Sequence, residues 1–278
     1  MTGFGIFAYF GYDLPLEESL RRLVAAGFDT VSLFWGAFDG GPPLHRQPEL
    51  ARRAGLRVEN AHAPFDGVNA LWTPGDDGDR YAASLVEALE GCAASGVPVL
   101  VAHLTDGPAP PPPSPLGIDR LRRVEAAAER RGVVLALENL RHAAHLHAAL
   151  SALTGPFTRF CYDSGHHFGW GKGEPYLERY GSRLAALHLH DNDGTRDQHL
   201  LPFDGAVDWP ALMARLAATG YDGALTLEVQ AFGRYERAMS VSAFLERAHA
   251  ALERLYKCQT PRRGASCVRA AGPCRLPG

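Results

Sequence analysis

The chain has 278 residues, of which 46% are hydrophobic and 21% are charged, and its formal net charge at pH 7 is −3. This size and composition are sufficient for one large hydrophobic core, and the slightly acidic balance argues against a general affinity for nucleic acid or for anionic membranes. No apolar stretch is long enough to cross a bilayer, and the first residues lack the basic segment of a secretory signal. We therefore expect a cytoplasmic protein whose five cysteines stay reduced.

Short apolar runs alternate with amphipathic segments along most of the chain. Strands are predicted at residues 3–8, 30–34, 56–61, 97–102, 133–137, 158–162, 184–187 and 224–227. Helices are predicted at residues 15–26, just before Gly55, and at 79–95, 118–131, 142–153, 175–183, 209–219 and 236–256. Eight strand and helix pairs in a chain of this length are typical of a single (β/α)8 TIM barrel, an α/β fold. An open doubly wound sheet is disfavoured, because no glycine-rich phosphate loop follows the first strand.

The last segment differs in composition from the rest of the chain. Residues 257–278 are rich in arginine, proline and glycine and show no hydrophobic periodicity. Such a segment buries too little apolar surface to offset the entropy that it would lose on ordering. We predict a barrel domain over residues 1–256 and a disordered tail over residues 257–278.

Potential metal ligands end six consecutive predicted strands: His62, His103, Glu138, Asp163, His188 and Glu228. Active sites of TIM barrels are built at the carboxyl ends of the strands, and imidazole with carboxylate is a common ligand set for zinc or manganese. Taken singly, each residue could instead be a core histidine bonded to backbone or one partner of a structural ion pair. A carboxylate that directly follows an apolar run, however, is costly to bury without a cation beside it. The pattern predicts a divalent metal site at this end of the barrel.

Several motifs carry a family resemblance. They are HAP at His62, LEN at Glu138, DSGH from Asp163, HLHDNDG and DQH between His188 and His199, and Glu228. Together they resemble the xylose-isomerase-like superfamily of TIM barrels over residues 3–250. That superfamily contains sugar and sugar-phosphate isomerases and epimerases, and also endonuclease IV, a DNA-repair enzyme with three zinc ions.

The resemblance implies a ligand set. In the isomerase and epimerase branch, the residues that match Glu138, Asp163, His188 and Glu228 hold one divalent ion, which implies manganese, zinc, magnesium or cobalt here. In endonuclease IV, the matching residues also include His62, His103, His166, Asp197 and His199, and all of these are present. The resemblance therefore leaves the number of ions open between one and three.

The preferred function is a metal-dependent isomerase or epimerase of a ketose sugar or sugar phosphate, acting by proton transfer through an enediolate. By resemblance, Glu138 and Glu228 are the catalytic pair. His62, His103, His166 and Trp35 are predicted to bind substrate, and Phe65, Trp72 and Trp170 also lie in predicted loops at the site end. Lys172 and Arg196, although in loops at the same end, are interpreted as surface charge.

Two other functions stay open. An endonuclease IV-like multi-zinc phosphodiester hydrolase fits the ligand set, but the chain is acidic, and its third loop carries four aspartates where DNA phosphates would approach. A binding barrel without catalysis is disfavoured, because both glutamates are present. The expected partner is a small sugar rather than nucleic acid or a membrane, and the sequence leaves a homo-oligomer open.

Overall fold

Parallel strands alternate with helices through residues 3–36 and 41–259, the part of the chain that this computed structural model describes. The strands are β1 (Phe4–Phe7), β2 (Thr30–Phe34), β3 (Arg57–His62), β4 (Val99–Ala102), β5 (Val134–Glu138), β6 (Thr158–Asp163), β7 (Leu184–His188) and β8 (Leu225–Leu227). The α-helices are α1 (Leu16–Ala25), α2 (Gln47–Ala54), α3 (Asp76–Ala94), α4 (Pro115–Arg131), α5 (Ala143–Ala152), α6 (Ser164–Gly169), α7 (Tyr176–Tyr180), α8 (Trp209–Ala218) and α9 (Val241–Gln259). Short 3-10 turns lie at Leu44–Arg46, Val68–Trp72 and Gly181–Arg183.

The strands form one sheet that closes on itself. Its order is β7-β6-β5-β4-β3-β2-β1-β8, so consecutive strands are neighbours. The last gap is closed by a parallel bridge between Leu189 and Leu227, which lie next to the ends of β7 and β8. This arrangement is the predicted TIM barrel, in which every carboxyl end of a strand opens on the same face.

Two apolar layers stabilise the barrel. The larger one fills the space between the strands and the surrounding helices and includes Ile6, Val31 and Leu33. A smaller cluster contains Val99, Val101, Ala136, Cys161 and Ala186. Strands buried on both faces explain the near-continuous apolar runs in the sequence.

Local sequence signals fix several helix boundaries. Ser114 Oγ accepts a hydrogen bond from Gly117 N at 3.2 Å at the start of α4, and Asp208 Oδ1 accepts one from Ala211 N at 3.1 Å at the start of α8. Proline stands at the first position of α4 (Pro115) and at the second position of α8 (Pro210), within the first turn, where a missing N–H costs nothing. Gly132 ends α4 with a φ of 64°, a left-handed conformation that favours glycine.

Some predicted boundaries are wrong. Helix α9 begins at Val241 rather than at residue 236, because the preceding residues form turns and Ser240 Oγ accepts a hydrogen bond from Ala243 N. The helix then runs to Gln259, so the predicted tail begins inside it, and residues 260–278 lie outside the described residues. Helix α3 begins at Asp76, which places three of the four aspartates assigned to the third loop in its first turn.

Two further expectations concern membranes and thiols. Within the described residues, no helix is both long enough and apolar enough to cross a membrane. Cys92 and Cys161 are buried free thiols and Cys258 is a half-buried one, whereas Cys267 and Cys274 lie outside the described residues.

Candidate metal centre

The polar residues at the strand ends meet at one mouth of the barrel. Glu138, Asp163, His188 and Glu228 each offer a ligand atom within 4.8 Å of the others. His188 Nδ1 lies 3.2 Å from Glu138 Oε2 and 3.3 Å from Glu228 Oε2. Strand register contributes, because Asp163 of β6 pairs directly with His188 of β7. The structure thus brings together the four residues that the resemblance implies for a single ion.

The carboxylate of Glu138 has an unusual environment. Both of its oxygens are buried and accept no hydrogen bond, and His188 Nδ1 is likewise buried without a partner. Four imidazole nitrogens nevertheless approach these oxygens, from His62 (3.4 Å), His103 (3.5 Å), His166 (3.1 Å) and His188 (3.2 Å). Contacts that are short but poorly aligned for hydrogen bonding suit a shared cation better than a proton. The donor set therefore fits a divalent ion, which would also neutralise the buried charge.

Backbone carbonyls orient three of the histidines. Nδ1 donates a hydrogen bond from His62 to Ala63 O (2.7 Å), from His166 to Asn139 O (3.1 Å) and from His199 to Glu228 O (2.7 Å). A carbonyl only accepts, so Nδ1 carries the proton in each ring and Nε2 is left to bind other groups. Metal-binding histidines are commonly held in this way through their second nitrogen.

The LEN and DSGH motifs form one interlocked unit. The Asn139 side chain accepts a hydrogen bond from Asp163 N and donates one to Asp163 O, both at 2.8 Å. Asp163 Oδ1 accepts from His166 N at 2.6 Å and caps α6, while Asp163 Oδ2 lies 3.0 Å from His190 Nε2. These bonds fix Asp163 and His166 relative to Glu138, which precedes Asn139 in the chain.

Burial and neighbouring charges shift the pKa values of the central side chains in opposite directions. Burial by itself raises the pKa of Glu138, but the imidazoles of His188 and His103 outweigh it and hold this pKa well below its ordinary value. Burial lowers the pKa of His188, and the neighbouring Cys161, Glu228 and Glu138 outweigh it and raise this pKa well above its ordinary value. Burial also lowers the pKa of His199, but Asp197 raises it to about 9. A metal ion that binds here would displace protons from these rings.

A second group of potential ligands adjoins the first. His166, His190, Asp197 and His199 also offer atoms within 4.8 Å of one another. Asp197 Oδ2 lies 3.2 Å from His166 Nε2 and 3.0 Å from His199 Nε2, and Asp197 Oδ1 is buried without a hydrogen bond. His62 and His103 form a further group with Glu138. Every residue named by the resemblance therefore reaches one of these groups.

His190 is absent from the predicted ligand set. The sequence holds a signal for it, because His190 follows His188 by two residues, and residues two apart in an extended chain face the same side. Its ring stacks on that of His199, with centroids 4.0 Å apart.

A pocket of about 580 Å³ opens on the ligand groups. Aromatic side chains form much of its wall: Phe7, Tyr9, Phe34, Phe65, Trp170 and Phe232. Phe65 and Trp170 were expected at the site end of the barrel, and the other four were not. Phe7 and Phe34 are the last residues of β1 and β2, so the strand-end rule that found the ligands also applies to them.

Trp35 and Trp72 lie elsewhere, contrary to the predicted role of Trp35 in binding substrate. Trp35 is 7% exposed and packs against α3, where a β-carbon on Gly91 would come within 2.5 Å of its ring. It follows Phe34, which lines the pocket, and successive residues of an extended chain face opposite sides. Trp72 is buried, and its Nε1 donates a hydrogen bond to Leu104 O at 2.6 Å.

Comparison with known proteins gives consistent matches. The model of the protein family described as xylose isomerase-like TIM barrel matches residues 20–254. An uncharacterized protein from Sinorhizobium fredii, y4fM, is 34% identical, over 88% of this chain and 89% of its own. A putative hydroxypyruvate isomerase from Streptomyces coelicolor is 25% identical, over 78% of this chain and 86% of its own. Among solved structures, D-psicose 3-epimerase from Clostridium cellulolyticum H10 has the same fold, with a TM-score of 0.75, 15% identity and coverage of 93% of this chain and 99% of its own.

Proposed function

Since the chain belongs to the family of xylose isomerase-like TIM barrels, we propose that it is a divalent-metal-dependent isomerase or epimerase of a ketose sugar or sugar phosphate. The observation that carries the proposal is the convergence of Glu138, Asp163, His188 and Glu228, with both oxygens of Glu138 buried and unpaired. The named relatives support the substrate class, because one is a putative hydroxypyruvate isomerase and another is an epimerase of a ketose.

Glu138, Asp163, His188 and Glu228 would hold the ion. When bound, it supplies a Lewis acid that stabilises negative charge developing on oxygen atoms of the substrate. The set of one imidazole and three carboxylates suits manganese, cobalt, zinc or magnesium.

Glu138 and Glu228 are the proposed acid and base. They extend from the ends of β5 and β8, and their ligand oxygens lie within 4.8 Å of each other. In the proposed reaction, one of them removes a proton from a carbon next to a carbonyl and the other returns it. Use of both glutamates gives epimerisation, and a single glutamate that shuttles the proton between carbons gives isomerisation. Glu228 lines the pocket, whereas Glu138 is almost fully buried, so Glu228 has the more direct access to substrate.

Other side chains position the sugar. His62, His103 and His166 line the pocket and offer ring nitrogens to substrate hydroxyls. The aromatic wall excludes water, which protects a carbanion-like intermediate from random protonation and strengthens electrostatic interactions.

Solvent deuterium exchange tests the proposal. Metal-loaded protein is incubated in D2O with a panel of ketoses, and deuterium at C2 and C3 is measured by NMR. We expect exchange in the wild-type protein, and a loss on the order of 10²- to 10⁴-fold in Glu138→Gln and Glu228→Gln. Retained exchange in both variants would overturn the proposed roles.

An endonuclease IV-like multi-zinc hydrolase is the second candidate, and the group of His166, His190, Asp197 and His199 favours it. Metal analysis separates the two candidates, since one ion per chain supports the isomerase or epimerase and three support the hydrolase. An abasic oligonucleotide belongs in the same assay. Cleavage of that oligonucleotide without exchange in any ketose would make the hydrolase the better assignment.

A further inference from the structure

We propose that Arg141 selects a substrate with an anionic group, a carboxylate or a phosphate, at the end remote from the reacting carbons. The inference rests on the proposed function and assigns a role to a residue outside the metal ligands and the catalytic pair. We therefore expect the substrate to be an acidic ketose rather than a neutral one.

Trp170 contacts both His166, at the candidate metal centre, and Arg141. The ring of His166 stacks on Trp170, with centroids 5.1 Å apart and an interplanar angle of 19°. On Trp170 lies the guanidinium of Arg141, with its Cζ 5.6 Å from the ring centroid. His166, Trp170 and Arg141 all line the same pocket. A sugar whose reacting carbons lie at the potential ligand groups can therefore direct its far end along this wall towards Arg141.

The guanidinium of Arg141 takes no part in the hydrogen bonds and ion pairs that hold the described part of the fold together. Within the part of the chain that the structure describes, Arg141 forms no ion pair and no hydrogen bond, and its polar atoms are left to the solvent or a ligand. Other arginines that pack on the barrel are occupied: Arg120 donates to four backbone carbonyls and Asp79, and Arg183 donates to three carbonyls. An arginine that lies beside an aromatic ring and has no ionic partner can bind a carboxylate or a phosphate through its planar fork of donors.

Arg141 is also the single arginine or lysine among the described residues that line the pocket. The four histidines of the pocket, together with Asp197 and Glu228, belong to the potential ligand groups, so Arg141 is the pocket cation outside those groups. Lys172 and Arg196 lie in loops at the same end of the barrel, but neither lines the pocket. Asp106 is the pocket carboxylate outside the proposed ligand groups, and its charge opposes anion binding.

The test compares three ketoses of similar size in the metal-loaded full chain. They are a neutral hexulose, a hexulosonate with a terminal carboxylate, and a hexulose 6-phosphate, so the two charged arms distinguish the possible sources of the anion. Binding is measured by quenching of tryptophan fluorescence and by calorimetry, and kcat and KM come from deuterium exchange. We expect at least one acidic ketose to bind more tightly than the neutral one.

Substituted variants test whether Arg141 causes the preference for acidic ketoses. Arg141→Gln should lower the ratio of anionic to neutral affinity by roughly tenfold to a hundredfold, since a charge-assisted hydrogen bond is lost. Arg141→Lys should restore part of the ratio, and Asp106→Asn should raise it. Lys172→Gln, which removes an exposed charge outside the pocket, should leave the ratio unchanged.

The possible failures are distinguishable. A preference for acidic ketoses that survives in Arg141→Gln, or an absence of any such preference, overturns the assignment of Arg141. Binding that follows the expected pattern without exchange in any ketose supports the anion site and counts against the proposed reaction.

Discussion

Two buried carboxylates at the same mouth of the barrel have opposite surroundings. Asp191, three residues beyond β7, accepts four hydrogen bonds: from Asn192 N (2.9 Å), Phe203 N (2.9 Å), Val207 N (3.0 Å) and Trp209 Nε1 (2.7 Å). Glu138 accepts none, although four imidazoles lie within 3.5 Å of it. In the sequence, each residue comes after an apolar run, Glu138 directly after residues 134–137 and Asp191 a few residues after residues 184–187.

The difference separates a role in folding, for Asp191, from the proposed role of a metal ligand, for Glu138. The hydrogen bonds to Asp191 are made by the loop of residues 192–209, so its negative charge is used to fold that loop. Gly205 approaches so closely that a β-carbon there would lie 2.3 Å from Asp191 Oδ1, which explains a glycine at that position. The oxygens of Glu138 accept no hydrogen bond from the fold, and they are available to a cation.

The largest stability effect that we expect from this comparison is in Asp191→Asn. The substitution places an amide where four donors converge and removes the charge they stabilise. We expect the free energy of unfolding to fall by about 3 to 5 kcal/mol, because the amide nitrogen would face two of these donors and each hydrogen bond to a charged group contributes about 1.5 to 3 kcal/mol. Urea unfolding of the metal-free protein measures it. Glu138→Gln, which breaks no hydrogen bond of the carboxylate, should cost less, and an equal cost in the two variants would contradict the distinction.

A divalent ion should stabilise the protein through Glu138 and not through Asp191. A ligand that binds only the folded state at 100 times its dissociation constant adds about 2.7 kcal/mol to the free energy of unfolding. We therefore expect manganese, cobalt or zinc to raise the Tm of the wild-type protein and a chelator to reverse the effect. The rise should disappear in Glu138→Gln. A rise that persists in that variant would place the stabilising ion elsewhere.

The convergence of the potential ligand residues could be predicted from the sequence because one simple rule governs their position. In a barrel of parallel strands all carboxyl ends open on one face, so an approximate boundary is enough to bring His62, Glu138 and Asp163 together. The direction of a side chain requires the boundary to the residue. Trp35 was expected at the site, but it faces α3 because Phe34, one residue earlier, takes the position that faces the pocket.

Other features of the site depend on contacts that no local pattern encodes. Arg141 follows Glu138 by three residues, and nothing near it in the sequence indicates that its guanidinium lies 5.6 Å from the ring centroid of Trp170. Likewise, Asp191 and Asp197 lie in the same acidic stretch, and only the folded loop shows that the first is saturated with hydrogen bonds while one oxygen of the second has none. Sequence therefore predicts which residues can be ligands better than it predicts which ones the fold leaves unpaired.

The smallest expected effect isolates one hydrogen bond to Asp191. Trp209 and Trp72 are both buried, and each donates one hydrogen bond from Nε1, to the charged carboxylate of Asp191 and to the neutral carbonyl of Leu104 respectively. Replacement of either by phenylalanine removes the donor and a similar volume, so the two variants differ mainly in the charge of the acceptor left behind. Bonds to charged groups contribute about 1.5 to 3 kcal/mol and neutral ones about 0.5 to 1.5 kcal/mol. We expect Trp209→Phe to lower the free energy of unfolding in urea more than Trp72→Phe does. If Trp72→Phe lowers the free energy of unfolding as much as Trp209→Phe does, the charge of Asp191 does not strengthen its hydrogen bonds. The contrast between Asp191 and Glu138 would then have no measurable effect on stability.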